Sequence, residues 1–315
     1  MTSLLNHLTK TKLCCICVHT DPDIDAISSL LTLTSVLHSM GFLVTCRLEN
    51  IPEGTEFLAG WDLFRELQTV TAQSPLDLIA LDCGSVHRIW PKEVLGLANQ
   101  IINIDHHFDN PLFGSVNIVD LTYSSTAEIL YHLLKEGGIQ LTTEHASNLY
   151  AGLLYDTGGF RYSNTKAATL VSAVEMINHG ANPSLLANQV FTRMDHRSFK
   201  ALELALKNAE YWETRGTLLS FVSYAEMKEH HLTNASFDGV IDILRQNRTV
   251  HYTILVREAD PGIMKGSIRA KEPYVIGDLI KDLGGGGHKR AGGFTNTLSY
   301  ERIKQILEEK LPLEQ

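Results

Sequence analysis

Short apolar runs alternate with stretches of helical periodicity over the first half of the chain. The runs at 13–18, 42–46, 76–81, 100–104 and 116–119 have the length and composition of buried strands. Helical patterns lie between or after them, at 26–40, 125–134 and 144–155. Buried strands that alternate with helices indicate a parallel sheet covered on both faces. Residues 1–188 are therefore expected to form an α/β domain with a doubly wound parallel sheet.

The pattern changes in the second half of the chain. Residues 166–210 are helical in pattern, with breaks at Gly180 and Pro183. Strand patterns at 218–222, 251–256 and 266–269 then mix with helices, and an amphipathic helix is predicted at 300–310. We predict a helical linker at 189–210 and a smaller α/β domain with a mixed sheet at 211–315.

Charge and composition exclude several classes of protein. The 315 residues include 27 Lys and Arg against 36 Asp and Glu, which gives a net charge of −9. That balance argues against a long duplex nucleic acid as partner, because counterion release needs a broad basic surface. No apolar run reaches the roughly 18 residues of a membrane span, so no membrane partner is expected. With 44% hydrophobic and 20% charged residues, the chain is not disordered or a coiled coil.

The five cysteines bear on the compartment. Their odd number, in predicted strands, favours a reduced and cytoplasmic protein. Cys14, Cys15 and Cys17 could form a thiolate metal site, but neighbouring strand residues point to opposite faces. Small buried apolar groups are the favoured interpretation of these thiols.

Potential metal ligands follow three of the predicted strands and one helix. They are His19, Asp23 and Asp25 after the first strand, Asp82 after the third, Asp105, His106 and His107 after the fourth, and Asp156 after a helix. The carboxyl ends of parallel strands meet at one crevice, so these side chains are expected to converge there. Taken singly, each could be a turn residue or a helix cap. Together they would repel strongly without a cation.

The ligand types indicate which cations fit. Carboxylate and imidazole groups without a thiolate suit Mn²⁺, Mg²⁺ or a similar ion. We expect Mn²⁺, with Mg²⁺ or Co²⁺ as alternatives. Several acids favour two divalent ions about 3.5–4 Å apart, a geometry that serves phosphoryl hydrolysis because the ions clamp the phosphate and activate water. The sequence thus predicts a two-metal centre.

Here the chain resembles a known family. The motifs at His19–Asp25, Asp82, Asp105–His107 and Asp156 resemble those of the DHH phosphoesterase superfamily. The glycine-rich segment 284–293 is similar to the signature of the associated DHHA1 substrate-binding domain. The resemblance is nearest to the stand-alone oligoribonucleases of the nanoRNase A type, which also dephosphorylate 3′-phosphoadenosine 5′-phosphate. Ser28 departs from the family pattern, which commonly has glycine there.

The resemblance implies a role for each residue of the metal centre. His19 and Asp23 would hold one ion, Asp25, His106 and Asp156 the other, and Asp82 would bridge both. His107 would stabilise charge at the scissile phosphate, and Asp105 would orient the histidine pair. We therefore expect catalytic roles for Asp82, Asp105 and His107.

Substrate-binding residues are expected in two places. Arg161, shortly after Asp156, would contact phosphate, although a surface arginine is the plainer interpretation. Ser267 and Arg269 share one face of a predicted strand, and arginine offers a bidentate fork for phosphate. The resemblance adds the glycine loop with His288, whose N–H groups can cradle an anion; alone, such a run is more often a flexible loop. The predicted substrate-binding residues are Arg161, Ser267, Arg269, Gly285, Gly286, Gly287 and His288.

These expectations together predict a metal-dependent phosphoesterase. It would hydrolyse short oligoribonucleotides to 5′-mononucleotides and convert 3′-phosphoadenosine 5′-phosphate to AMP. The main alternative is a phosphodiesterase of cyclic or linear dinucleotides such as c-di-AMP or pApA. An inorganic pyrophosphatase, a RecJ-like exonuclease and a non-catalytic nucleotide sensor are weaker alternatives. The sequence leaves the oligomeric state open, a homodimer included.

Overall fold

The computed structural model describes residues 2–48, 51–69, 75–192, 194–287 and 289–313. The chain divides into two compact units, Met1–Arg193 and Met194–Gln315. The division lies inside the predicted linker 189–210, near its beginning. No helix in the described ranges has both the length and the apolar content needed to cross a bilayer.

The first unit contains a parallel sheet, as the sequence predicts. Its strand order is β2-β1-β3-β4-β5, and each of these pairings is parallel. The strands are β1 (Leu13–Cys17), β2 (Leu43–Arg47), β3 (Leu76–Leu81), β4 (Ala98–Asp105) and β5 (Val116–Val119). The helices are α1 (Thr2–Leu5), α2 (Ile24–Ser39), α3 (Trp61–Leu67), α4 (Glu93–Leu97), α5 (Thr126–Glu136), α6 (Thr143–Asp156), α7 (Ala167–Asn178) and α8 (Pro183–Phe191).

Alternation along β1 shows how this sheet is covered on both faces. Cys14 and Ile16 lie in the larger core, which also contains the buried side of α2. Cys15 and Cys17 lie in a second core, together with Cys83. All five cysteines are free and buried, and their thiols fill the two cores as small apolar groups.

Helix α5 begins where the sequence predicts, and its first turn borders the site. Ser125 is the N-cap, because its Oγ accepts the N–H of Glu128 at 3.0 Å. The carboxylate of Glu128 does not return to Ser125, as a capping box would require. It accepts the N–H and the hydroxyl of Ser124 at 2.8 and 2.7 Å instead. The first two N–H groups of α5, those of Thr126 and Ala127, donate to a buried carboxylate on α2.

The second unit contains a mixed sheet in the order β10-β11-β9-β8-β7-β6. Strands β7 and β8 are parallel and the other pairs are antiparallel, as expected for the smaller domain. The strands are β6 (Ala209–Trp212), β7 (Thr217–Val222), β8 (Tyr252–Asp260), β9 (Ile263–Ala270), β10 (Gly286–Gly287) and β11 (Ala291–Asn296). The helices are α9 (His196–Lys207), α10 (Tyr224–Glu229), α11 (Val240–Leu244), α12 (Gly277–Asp282) and α13 (Tyr300–Lys310).

Part of the predicted linker 189–210 belongs to the core of the second unit. Helix α9 packs through Ala201 and Ala205 against Leu218 and Val222 of β7. The residues after α9 enter β6, which pairs antiparallel with β7. Helical periodicity over 196–207 shows only that one face of the helix is apolar, so it does not reveal which core that face joins.

Candidate metal centre

The carboxyl ends of β1, β3 and β4 bring the predicted ligands of the first unit together. Asp82 directly follows β3 and has a φ of 53°, a left-handed conformation that is uncommon for a non-glycine residue. Asp105 is the last residue of β4. Asp156 is the last residue of α6. Residues from four separate segments thus meet at one edge of the sheet.

Ligand atoms form three overlapping groups at this edge. In each group, one atom from each residue lies within 4.8 Å of the others. The groups are His19, Asp23 and Asp82; Asp25, His106 and Asp156; and Asp82, His106 and His107. Oxygen and imidazole nitrogen donors suit hard or borderline divalent cations, so the donor set fits the predicted ions. Asp82 is shared by two groups, the arrangement that a bridging ligand requires.

His19 and Asp23 lie on the β1 side of the centre. The Nε2 atom of His19 is 3.6 Å from Asp82 Oδ2, and its Nδ1 is 2.7 Å from Thr20 O. Asp23 is the N-cap of α2, with Oδ1 accepting the N–H of Ala26 at 3.1 Å. Asp23 can both cap the helix and bind a cation, because the capping bond uses one carboxylate oxygen and leaves lone pairs for the ion.

Asp25 is completely buried at the start of α2. Its Oδ2 accepts the N–H of Thr126 at 2.7 Å, and its Oδ1 accepts that of Ala127 at 2.9 Å. These N–H groups belong to the first turn of α5, where the helix dipole favours a negative charge. Thr126 also donates its hydroxyl to Asp82 Oδ1 at 3.0 Å, which links the two carboxylates.

His106 connects two acids. Its Nε2 lies 3.0 Å from Asp156 Oδ2 and 3.5 Å from Asp82 Oδ1. Burial by itself lowers the pKa of His106, but Asp156 and Asp82 raise it well above the ordinary value. Without a cation, the proton on His106 offsets part of the negative charge of the two acids.

His107 is held by a separate polar network. Its Nδ1 lies 2.7 Å from Asp105 Oδ1. The Nδ2 group of Asn110 donates to Asp105 Oδ2 at 2.6 Å and is 2.7 Å from Asn103 Oδ1. Burial lowers the pKa of His107, but Asp105 and Asp82 raise it overall. Asp105 thus orients His107 and favours its protonated form.

The pKa values of the other carboxylates in the centre are shifted in different directions. Burial, with Asp82 and Asp156 nearby, raises the pKa of Asp23 to about 6. Burial and Asp82 raise the pKa of Asp25 well above its ordinary value. Burial also acts to raise the pKa of Asp82, but His106 and His19 hold it well below the ordinary value. Acids whose pKa values are pushed in opposite directions within one cluster are typical of functional sites.

Sequence reasoning missed three residues of this centre: Asn103, Asn110 and Thr126. Asn103 is a completely buried polar residue of β4, and its position between Ile102 and Ile104 is a signal that is visible in the sequence. Asn110 and Thr126 carry no comparable signal, because their partners lie on other segments of the chain.

Arg161 lies in a turn that begins shortly after Asp156. Gly158, Gly159 and Phe160 all have positive φ, so the chain reverses tightly before Arg161. Arg161 Nε donates to Gly158 O at 2.5 Å, and its guanidinium lies 5.7 Å from the ring centroid of Phe191. Both side chains line a cavity of about 500 Å³ within the first unit.

The other predicted substrate-binding residues lie in the second unit. Ser267 and Arg269 are on β9, where they pair with Gly293 and Ala291 of β11. Arg269 Nε is 3.6 Å from Asp242 Oδ1 on α11. Ser267 and Arg269 are half-buried, and Gly293 and Ala291 add little or no side-chain volume beside them.

The glycine-rich segment is ordered by the backbone. The N–H groups of Gly284 and Gly285 donate to Lys281 O and Ile280 O, which terminates α12. Gly286 and Gly287 form β10 and pair with β11. The N–H groups of Gly284 and Gly285 are therefore not available to bind an anion, and that part of the prediction is wrong. The predicted residue His288 lies outside the described residues.

Comparison with known protein families agrees with the division of the chain into two units. Residues 14–155 match the DHH family, N-terminal domain, and residues 219–311 match the DHHA1 domain. These matches cover most of both units.

Relatives extend over nearly the whole chain. A bifunctional oligoribonuclease and PAP phosphatase NrnA from Thermus thermophilus is 28% identical over 310 residues, covering 94% of this chain and 89% of its own. A protein of the same name from Bacillus subtilis is 29% identical over 294 residues, with coverages of 92% and 90%. The crystal structure of an exopolyphosphatase-related protein from Bacteroides fragilis has the same fold, with a TM-score of 0.85, 23% identity and coverages of 99% and 96%.

Proposed function

The chain belongs to the DHH–DHHA1 phosphoesterase superfamily, and we propose that it hydrolyses short oligoribonucleotides to 5′-mononucleotides and 3′-phosphoadenosine 5′-phosphate to AMP. The observation that carries the proposal is the set of overlapping ligand groups, two of which share Asp82. The named activities of the NrnA relatives support the choice of substrates. Five buried, reduced cysteines support a cytoplasmic location.

The three ligand groups support the metal-binding part of the proposal. His19 and Asp23 would hold one divalent ion and Asp25, His106 and Asp156 the other. Asp82, which is grouped with His19 and Asp23 and lies 3.5 Å from His106 Nε2, would serve both ions. When bound, such a pair of ions polarises phosphoryl oxygens and lowers the pKa of water. The proposed ion is Mn²⁺, with Mg²⁺ and Co²⁺ as alternatives that the carboxylate and imidazole ligands also suit.

His107 acts on the phosphate rather than as a metal ligand through Nδ1. That nitrogen donates to Asp105, so it has no lone pair for a cation. Burial lowers the pKa of His107, but Asp105 and Asp82 raise it overall and so favour the imidazolium form, which can donate to a phosphate oxygen as negative charge develops. Asp105, itself held by Asn110, fixes the orientation of the ring.

The substrate-binding part of the proposal assigns nucleotide contacts to both units. In the first unit, Arg161, which follows Asp156 by five residues, contacts phosphate. In the second unit, Arg269 contacts phosphate, Ser267 accepts or donates a hydrogen bond, and Gly286 and Gly287 allow close approach. In one row of the sheet, Gly286 pairs with Gly293, which pairs with Ser267, and this row has almost no side-chain volume. Such a surface admits a flat base or a sugar–phosphate backbone.

The test is a measurement of kcat/KM against substrate length at one salt concentration, since salt alone shifts nucleic-acid affinity. We expect efficient conversion of RNA of about two to five nucleotides, on the site sizes of single-strand binding. Longer single strands should react more slowly and blunt duplex hardly at all, because the net charge of −9 offers no extended basic track. A value that rises steadily with length would indicate a processive exonuclease and contradict the proposal.

The same experiment separates the main alternative. Cyclic and linear dinucleotides are included at equal concentrations with 3′-phosphoadenosine 5′-phosphate. A dinucleotide phosphodiesterase would act on the cyclic compounds with a kcat/KM above that for trinucleotides and longer RNA. The proposed enzyme should show the reverse order.

A further inference from the structure

Arg88 is fixed beside the candidate metal centre by its backbone. It is the last residue of a 3₁₀ helix, Val86–Arg88, that follows Asp82. The N–H of Thr20 donates to Arg88 O at 2.8 Å, and His19 forms an antiparallel bridge with Ile89. The segment that carries Arg88 is therefore paired with the segment that carries His19.

The guanidinium of Arg88 reaches the outer side of the His19 ring. Arg88 Nη2 lies 2.9 Å from His19 Nδ1, and Thr20 O lies 2.7 Å from the same nitrogen. A guanidinium only donates hydrogen bonds and a carbonyl only accepts them, so Nδ1 can serve one of the two at a time.

The two partners of His19 Nδ1 require different tautomers of the ring, because one donates a hydrogen bond and the other accepts one. A neutral histidine that ligates through Nε2 carries its hydrogen on Nδ1, and this group commonly donates to a backbone carbonyl. Thr20 O supplies that acceptor, so the ring is oriented without Arg88. In the ligating form of His19, the guanidinium of Arg88 has no acceptor on Nδ1.

The charge around Arg88 leaves it suited to an anion. Among the described residues, no carboxylate lies within ion-pair distance of Arg88, and the side chain is exposed. By contrast, the exposed Arg65 on α3 has Asp62 at 3.1 Å. A guanidinium without a carboxylate partner, next to a centre for phosphate esters, matches phosphate in charge and geometry.

We propose that Arg88 is a phosphate-binding residue, which contacts the substrate phosphate when His19 acts as a metal ligand. The inference rests on the proposed phosphoester hydrolysis at this centre, but not on which nucleotide is the substrate. The sequence does not reveal this role of Arg88. Arg88 is in contact with His19, which is 69 residues away along the chain, and no spacing in the sequence expresses that contact.

The test compares Arg88→Ala and Arg88→Lys with Arg65→Ala, a matched exposed arginine of the same unit. Isothermal titration measures the binding of inorganic phosphate to each protein at saturating Mn²⁺, and elemental analysis measures bound metal. Arg88→Ala should weaken phosphate binding by about tenfold or more, the effect of one charge-assisted hydrogen bond. The phosphate affinity of Arg88→Lys should lie between those of Arg88→Ala and the wild type, because lysine keeps the positive charge but loses the bidentate geometry of the guanidinium. Arg65→Ala should match the wild type.

The outcomes separate this role from the positioning of His19. If Arg88→Ala loses bound metal, Arg88 supports the ligand and the inference is overturned. Unchanged phosphate affinity at full metal content also overturns it. Should Arg88→Ala fail to fold, the comparison of Arg88→Lys with the wild type decides, since equal phosphate affinities would refute a bidentate contact. Failure of oligoribonucleotide hydrolysis with Arg88-dependent phosphate binding would reject the proposed substrate and keep this inference.

Discussion

Asp82 lies between His19 and His106, so the consequences of changing it can be stated at the scale of one residue. Asp82→Asn keeps the size and removes the charge, which weakens both ligand groups that share it. We expect a fall in kcat/KM of at least about 100-fold, together with lower metal content. Asp62→Asn is the control, because this carboxylate is exposed on α3 and pairs with Arg65, away from the ligand groups. Near wild-type kcat with unchanged metal content would contradict the bridging role.

The pKa values predict how the metal-free protein responds to pH. Burial raises the folded-state pKa of Asp23 to about 6, so the folded state binds this proton more tightly than the unfolded chain and loses stability as pH rises towards that value. Despite burial, Asp156 and Asp82 raise the pKa of His106 well above its ordinary value. Its contribution is present below the unfolded pKa of about 6.5 and is lost as pH rises through the folded value.

Both shifts act in the same direction, but the Asp23 contribution is largely lost by about pH 6, so the change between pH 6 and pH 8 comes from His106. Chelator-treated protein should unfold at a lower temperature at about pH 8 than at about pH 6, and Mn²⁺ should stabilise more at the higher pH, because its ligands must be deprotonated. Scanning calorimetry at both pH values, with and without the metal, measures this. An unfolding temperature that rises from pH 6 to pH 8 without metal would refute the assignment.

The convergence of the proposed ligands is predictable from the sequence, whereas the residues that hydrogen-bond to them are only partly predictable. His19, Asp82 and His106 follow apolar runs, and the topology of a parallel sheet brings such positions together. Thr126 and Asn110 reach the centre through tertiary contacts, which no spacing along the chain expresses. The left-handed conformation of Asp82 is likewise a property of the assembled sheet edge.

At the scale of helices, Gly152 on α6 permits the close packing of α2 and α5 at the site. A Cβ atom at this position would lie 2.4 Å from Ser28 Oγ, 2.7 Å from Asp25 Oδ1 and 2.8 Å from Ala127 Cβ. Gly152→Ala should therefore destabilise the protein by about 1–3 kcal/mol and weaken metal binding through Asp25. Chemical denaturation and metal titration measure the two effects.

The chain offers a matched control for this change. A Cβ atom at Gly96 on α4 would have no neighbour within 4 Å, so Gly96→Ala should be neutral or gain up to about 1 kcal/mol. Ser28→Gly combined with Gly152→Ala should recover part of the loss, since Ser28 Oγ is the nearest obstacle. Additive effects of the two substitutions would contradict the packing argument.

Short elements account for most of what the sequence does not reveal about the fold. Helices such as α10 and α11 are too short to show a helical period. Strand β10 has only glycine, and its pairing with β11 depends on the absence of side chains: a Cβ at Gly287 would lie 2.4 Å from Ala291 O. A run of glycines therefore favours a loop when only the sequence is considered.

At the scale of the whole molecule, alternating strands and helices suffice to predict a parallel sheet followed by a mixed one. Longer elements with clear periods, such as α2 and α13, are found within a few residues of their predicted positions. The assignment of α9 to the second unit is not predictable, because it depends on contacts with β7. Fold class is thus encoded locally, and the membership of a helix in a core is not.

The two units allow the roles of catalysis and substrate binding to be measured separately. The ligand groups lie within the first unit, whereas Arg269 lies in the second. If Arg269 binds nucleotide, Arg269→Ala should lower kcat/KM for a dinucleotide by about tenfold or more, the effect of one charge-assisted hydrogen bond.

Hydrolysis of bis(4-nitrophenyl) phosphate should fall much less in this variant, because that ester needs the metal centre but no second nucleotide contact. Arg302→Ala is the matched control, an exposed arginine on α13 of the same unit. The ratio of kcat/KM between the two substrates reports the difference in transition-state free energy that Arg269 contributes to nucleotide recognition. Equal losses on both substrates would instead mean that Arg269 acts on the chemical step or on folding, and the assignment of substrate binding to the second unit would then fail.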